Sequence, residues 1–413
     1  MSAQSSLRQR ALPDAAPSQP SAPLPFPSPQ ATPGLAFRPS LFRSFFMGGF
    51  ECSTHTRGNG QRLDLSAGTQ HDRRVEEDYR QLAEMGIRSV RDGLRWHLIE
   101  RSPGQYDWSS LLPMLRAAEK VGTQVSWDLC HYGWPDGLDV FSGAFVERFA
   151  RFCHAFAGLH LEETGRAPIV CPVNEISFLA WAGGDHARMP PRAHGRGNEL
   201  KRQLVRCVVA ATHAVREAAP GARFLAIDPI IHIAPRPGHE AAAESYNQGQ
   251  FQAWDMLAGR LDPELGGGPE ILDVVGINYY WNNQWLDGGE PLSPFDPRFR
   301  PLHELLLAAH ARYGRPVFLS ETSIEGDRRA GWLRYVGEEV RIAMRAGLPL
   351  EGFCFYPVLS HLGWDDDRYC DNGLLEVESR DGKRVVDEPL AAEFREQRRL
   401  FAAMGPGMAA AVG

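Results

Sequence analysis

The sequence predicts a (β/α)8 barrel, and three observations carry that expectation. Eight short apolar stretches alternate with eight helix-like stretches between residues 41 and 404. The chain's 413 residues suit one barrel with insertions. Two of the apolar stretches end in glutamate, at Glu175 and Glu321, and the last residue of a barrel strand points into the mouth.

The elements follow in order. The first strand is Phe45 to Phe50, with Glu51 just beyond it. A helix from about Arg73 to Met85 carries Val75, Tyr79 and Leu82 at helical spacing and stops at Gly86. Strand two, Ile87 to Arg91, precedes a helix near Trp108 to Val121 that Gly122 closes. Strand three runs Gln124 to His131, and a long helix, about Ser142 to Thr164, leads to strand four, Ala167 to Glu175. Helix Leu200 to Ala219 precedes strand five, Ala222 to Asp228, and helix Glu244 to Ala258 follows it. Strand six is Asp273 to Tyr280, and helix Leu302 to Tyr313 leads to strand seven, Arg315 to Glu321. Helix Ala330 to Ala346, strand eight, Gly352 to Tyr356, and a last helix, Glu388 to Ala403, complete the set. The strands read as continuous apolar runs, the pattern of parallel strands covered on both faces. No G-x-G-x-x-G or G-x-x-x-x-G-K-[ST] pattern occurs, which removes the phosphate-binding doubly wound folds.

The flanks have a different composition. Residues 1–40 are rich in Pro, Ser and Ala without an apolar core segment, and read as a flexible tail rather than a signal peptide. Residues 405–413 are small and read as a frayed end. No stretch is long enough to span a bilayer, so no membrane partner is expected. The net charge of −7 without a basic run argues against nucleic acid. Seven cysteines, an odd number without C-x-x-C, read as free thiols of a reducing, cytoplasmic setting. Neither a metal nor a cofactor is expected.

A closed barrel brings distant strand ends together, here Glu51, Arg91, His131, Asn174, Glu175, Tyr280 and Glu321. Two carboxylates in one mouth can divide the cleavage of a glycosidic bond: one protonates the leaving oxygen and the other attacks the anomeric carbon. Arg91 is suited to hold a carboxylate by charge-assisted hydrogen bonds, unless it serves a structural ion pair with Asp92 or Asp128. Tyr280 can donate its hydroxyl to the nucleophile. Asn174 and His131 can bond ring hydroxyls, although a satisfied core histidine is an equally good reading of His131 alone. A glutamate that only caps a helix is the plain alternative for either carboxylate alone; the pairing weighs against it.

Five stretches, in order along the chain, resemble the retaining β-glycosidases of clan A, and most of all glycoside hydrolase family 1. They are Val90-Arg91 through Trp96, His131-Tyr132-Gly133-Trp134-Pro135, Val173-Asn174-Glu175, Asp273 through Tyr280 with Asn278 inside it, and Leu319-Ser320-Glu321. The resemblance implies Glu175 as acid/base, Glu321 as nucleophile, support from Arg91 and Tyr280, and sugar contacts from His131, Asn174, Asn278, Trp281, Trp364 and Glu51. It implies a carbohydrate or glycoside substrate. The departures lie in the sugar clamp. Glu321 is followed by Thr322-Ser323 where the family has Asn-Gly, and Gly363 stands before Trp364 where the family places a glutamate. Glu51, Cys52 and His55 occupy the region of the family's first-strand glutamine. The loops Trp281–Trp285 and Asp365–Gly373 are candidate replacements, and solvated loop charge is the plain reading of the second. A transglycosidase using the same two glutamates, or a catalytically retired carbohydrate-binding barrel, are the alternative functions.

Overall fold

The computed structural model describes residues 39–378 and 381–413. Eight parallel strands close into one barrel: β1 (Phe46–Gly49), β2 (Ser89–Gly93), β3 (Gln124–Asp128), β4 (Ile169–Cys171), β5 (Arg223–Pro229), β6 (Val274–Asn278), β7 (Val317–Glu321) and β8 (Leu350–Phe355). Each pairs with its sequence neighbours, and β1 closes the ring on β8. The covering helices are α1 (His71–Glu84), α2 (Leu112–Val121), α3 (Gly143–Thr164), α4 (Gly197–Ala218), α5 (Gln252–Leu257), α6 (Leu302–Tyr313), α7 (Arg329–Arg345) and α8 (Glu388–Ala402). The helix expected over Glu244 to Ala258 is two pieces, Glu240–Gly249 and α5, parted at Gln250-Phe251. The tail read over residues 1–40 lies almost wholly outside the described residues.

Strand alternation sorts the core into two layers. Met47, Ile169, Cys171, Leu225, Ile227, Val274, Phe318 and Cys354 fill the barrel interior together with Leu41 and Phe42, which plug its floor. The alternate residues face the helices; Trp127, for example, meets Phe156 of α3 with ring centroids 6.2 Å apart. On β2 the same alternation sends Arg91 into the barrel and Asp92 outward. Asp92 there accepts from the Tyr79 hydroxyl at 2.7 Å and faces His71 Nε2 at 2.8 Å.

Two local departures set the mouth. Between β6 and β7 the register runs Ile277 to Leu319 and then Asn278 to Glu321, which leaves Ser320 as an extra residue. Strict alternation would place Glu321 outside, in step with Leu319; the bulge turns it inward. On β1, a Cβ on Gly49 would come within 2.0 Å of Tyr356 Cδ2, so only glycine lets Tyr356 cross the mouth. The chain end departs from expectation: residues Pro406–Val412 form a helix instead of fraying. Met408 and Val412 are buried, and Ala411 O accepts from Phe45 N at 2.8 Å. Pro406 at the first turn starts this helix without cost, because its missing N–H would have no helical partner there. Among the described residues no helix is long and apolar enough to cross a membrane. All seven cysteines are free and buried.

Candidate active site

The pocket sits at the C-terminal ends of the strands and opens to solvent. Its walls include Glu51, His55, His131, Tyr132, Glu175, Tyr280, Trp281, Glu321, His361, Trp364 and Asn372. Seven of the ten residues expected at the site therefore face one space. The other three, Arg91, Asn174 and Asn278, are fully buried behind its wall.

Arg91 is the hub of that hidden layer. Its Nη1 donates to Glu321 Oε1 at 2.6 Å, and its Nε and Nη2 hold both oxygens of Asp128 at 3.0 and 2.7 Å. Nη2 also donates to Asn174 Oδ1 at 2.7 Å. The two readings of Arg91, carboxylate holder and structural ion pair, are thus both realised, with Asp128 rather than Asp92 as the structural partner. Tyr280 donates its hydroxyl to Glu321 Oε2 at 2.8 Å, so both oxygens of Glu321 are held.

Glu175 lies four residues beyond β4, because Pro172 has no N–H with which to continue the ladder. Its backbone is left-handed, at φ 48°, and its N–H donates to Ile227 O of β5 at 3.1 Å. Asn278 Nδ2 donates to Oε1 at 2.8 Å, and the Tyr132 hydroxyl donates to Oε2. Burial, and then the charge of Glu321, push the Glu175 carboxyl up to about 8; the bonds from Tyr132 and Asn278 oppose that rise. A carboxyl with this environment keeps its proton at neutral pH.

Asn174 and Asn278, expected as sugar ligands, spend their amides on the protein. Asn174 Nδ2 donates to the Tyr132 hydroxyl at 3.1 Å, and Asn278 Oδ1 accepts from Ser320 Oγ at 2.7 Å. Tyr132 was missed in the sequence. It sits on the loop after β3 at φ 65°, a conformation that no strand periodicity signals.

The inner end of the pocket carries Glu51, His131, His361, His55 and Asn372. Burial alone would raise Glu51; the charges of His131 and His361 and two hydrogen bonds from Ser53 outweigh it and hold Glu51 below its ordinary value. Burial alone would lower His131; its 2.8 Å bond to Asp128 Oδ2 and the charge of Glu51 raise it. Burial brings His55 down to about 4, so it is neutral at physiological pH. His55 Nδ1 and Asn372 Oδ1 are buried without a hydrogen-bond partner, and both residues line the pocket. Buried polar atoms of this kind require a partner.

Only Trp281 of the Trp281–Trp285 segment reaches the pocket. Asn283 Nδ2 is spent on Ile230 O at 2.7 Å, Gln284 Nε2 on Arg300 O at 2.7 Å, and Trp285 lies in a short ladder with Ile233. The loop after β8 contributes Trp364, Asp365, Cys370 and Asn372 to the wall and leaves Asp366 and Asp367 in solvent, so the plain reading holds for those two. The Trp364 ring meets Tyr132 edge-on at 5.2 Å. Cys52, Asp128 and His131 offer potential ligand atoms within 4.8 Å of one another. Asp128 is already held by Arg91, and burial drives the Cys52 thiol up, which disfavours the thiolate a metal needs.

The whole architecture matches solved barrels. A β-glucosidase from Thermotoga maritima in complex with castanospermine aligns at 14% identity with a TM-score of 0.71, covering 89% of this chain and 98% of that one. The family 1 β-glucosidase from the same organism aligns at 15% identity and 0.71, covering 89% and 99%. The fold is that of a family 1 β-glucosidase. The β-glycosidase BGL167 aligns at 19% identity with a TM-score of 0.65, covering 80% of this chain and 87% of that one. No family model matches the sequence, and no curated protein matches it significantly. The family 1 barrel is therefore legible here in the backbone, at a sequence distance where family-level sequence comparison finds nothing.

Proposed function

We propose that this chain is a retaining β-glycosidase that hydrolyses an O-glycosidic bond by double displacement. One observation carries the reading: two buried glutamates, one after β4 and one at the end of β7, face the same pocket with different partners. Glu321 is held through both oxygens by Arg91 and Tyr280, as a carboxylate nucleophile needs. Glu175 retains a proton near neutral pH, as a general acid needs.

In the first step a Glu321 oxygen attacks the anomeric carbon as the bond to the leaving oxygen breaks, and the Glu175 proton passes to that oxygen. The product is a glycosyl ester on Glu321 and an ionised Glu175. In the second step Glu175 takes a proton from water, the water oxygen attacks the anomeric carbon, and the ester bond to Glu321 breaks. Arg91 accompanies Glu321 throughout, and Asp128 fixes the guanidinium plane. A sugar seated against Trp364 would meet the two unpartnered atoms, His55 Nδ1 and Asn372 Oδ1, at the inner end. The solved neighbour in complex with castanospermine supports carbohydrate-like ligands in this type of barrel.

The test is a pair of substrates with good and poor leaving groups. Glu175→Ala is expected to spare the activated substrate, to lose about 10²–10⁴-fold on the unactivated one, and to recover turnover with added azide. Equal loss on both substrates without azide rescue would remove Glu175 from this role.

A further inference from the structure

Beneath Glu175 lies a second buried carboxyl that the two-glutamate mechanism does not use. Asp228, on β5, is 1% exposed. Ser177 N donates to its Oδ1 at 3.0 Å and to its Oδ2 at 3.3 Å, and Ser177 Oγ donates to Oδ2 at 2.5 Å. Ser177 stands two residues after Glu175, in the first turn of the short helix Ile176–Leu179. The residue before Asp228, Ile227, accepts the Glu175 N–H. The end of β5 therefore grips the turn that carries Glu175 at two places. That turn needs gripping: a glutamate at φ 48° is strained, and persists only where its surroundings over-determine it.

We propose that Asp228, acting through Ser177, is the positioning residue of the acid/base: it holds the left-handed turn that aims the Glu175 carboxyl into the pocket. The inference rests on the glycosidase reading and names a part of its site that neither the two-carboxylate scheme nor the family resemblance contains. Asp228 forms no ion pair among the described residues. The nearby cation is Lys201 of α4, whose ammonium is committed to Gln252 Oε1 at 2.8 Å. A cavity with room for about one water adjoins Asp228, walled by Val173, Ile176 and Val208.

The placement has an electrostatic consequence. Burial raises Asp228 to about 7, against the hydrogen bonds from Ser177 and the charge of Lys201. Above that pH Asp228 is negative, and its charge adds to that of Glu321 in keeping the proton on Glu175. The groups that face Glu175 are Glu321 of β7, Asp228 of β5, Asn278 of β6, and the hydroxyls of Tyr132 after β3 and Tyr280 after β6. Asp228 is the one whose removal takes away a negative charge without touching the pocket wall.

The experiment compares Asp228→Asn and Ser177→Ala with the unmodified protein. Asp228→Asn is expected to move the alkaline limb of kcat/KM to lower pH. Both variants are expected to lose about tenfold or more on a poor leaving group, with much less loss on a dinitrophenyl glycoside that needs no proton. A purely structural role predicts equal losses on both leaving groups and an unmoved alkaline limb, and that result overturns the proposal. Carbon-13 NMR of labelled glutamate carboxyls follows the Glu175 titration without any substrate. If the protein cleaves no glycoside, the glycosidase reading fails, while the NMR titration still decides whether Asp228 acts on Glu175. If Asp228→Asn does not fold, Ser177→Ala carries the leaving-group test alone.

Discussion

Replacing Tyr132 by phenylalanine removes one oxygen from the centre of the site. That oxygen donates to Glu175 Oε2 and accepts from Asn174 Nδ2 at 3.1 Å. The ring stays in place, wedged between His131 at 4.8 Å, Trp364 at 5.2 Å and Phe178 at 5.8 Å, so the pocket keeps its shape. The donated bond favours the charged form of Glu175 and therefore works against the rise caused by burial and Glu321. A hydrogen bond to a charged group is worth about 1.5–3 kcal/mol, and one pKa unit is about 1.4 kcal/mol. Losing the bond should raise Glu175 by about one to two units above its already elevated value. The alkaline limb of the kcat/KM profile reports the loss of the Glu175 proton, so in Tyr132→Phe it should move to higher pH by that amount. Asn174 Nδ2 would keep only the 3.4 Å contact to His131 Nε2, and urea unfolding should show a loss of about 1–3 kcal/mol. An alkaline limb that stays put or moves to lower pH would refute the assignment of the Tyr132–Glu175 bond as a brake on the Glu175 shift.

The remaining predictions concern stability and specificity. His71 is buried between Asp78, 2.7 Å from Nδ1, and Asp92, 2.8 Å from Nε2. Burial alone would lower it, but the two carboxylates raise it to about 9. A raised histidine stabilises the fold fully below its unfolded value of about 6.5, and that stabilisation is lost as pH rises through about 9. Urea unfolding should show the protein weaker by on the order of 3 kcal/mol at about pH 10 than at about pH 6, and His71→Gln should flatten that dependence. Gly363 stands where the family resemblance places a glucose-gripping carboxylate, and it carries no side chain to replace that carboxylate. Without that bond, worth about 1.5–3 kcal/mol, aryl β-glucosides should be cleaved roughly ten- to a hundredfold more slowly than the best substrate of a broad panel. Cleavage of the aryl β-glucoside at the panel's top rate would refute this.

What the sequence revealed was set by strand chemistry. The apolar runs before Glu175 and Glu321 located both carboxylates, because parallel strands covered on two faces have no polar alternation to confuse the reading. The same logic found Arg91, Tyr280 and the barrel itself. A chain of letters does not show that Asn174 is held by Arg91 and Tyr132, or Asn278 by Glu175 and Ser320; these partners come from strands and loops distant in sequence. Glu321 points inward only through the bulge at Ser320, and strict alternation gives the wrong side. Tyr132 comes from a turn after β3 and His361 from a two-residue strand, where no periodicity exists to read, while Asn372 lies within the Asp365–Gly373 loop that the sequence singles out. The helix at Pro406–Val412 escaped notice because Ala and Gly look unstructured in composition. Its partners, Phe45 and Arg398, are supplied by the barrel floor and α8.

The central claim is that Glu321 forms a covalent bond to the sugar. Incubation with a 2-deoxy-2-fluoro glycoside carrying an activated leaving group should trap that ester, and peptide mass spectrometry should place the added sugar on the peptide containing Glu321. The label should be absent from Glu321→Gln while circular dichroism stays unchanged. A label on any other residue, or turnover that leaves Glu321 unmodified under trapping conditions, would contradict the account.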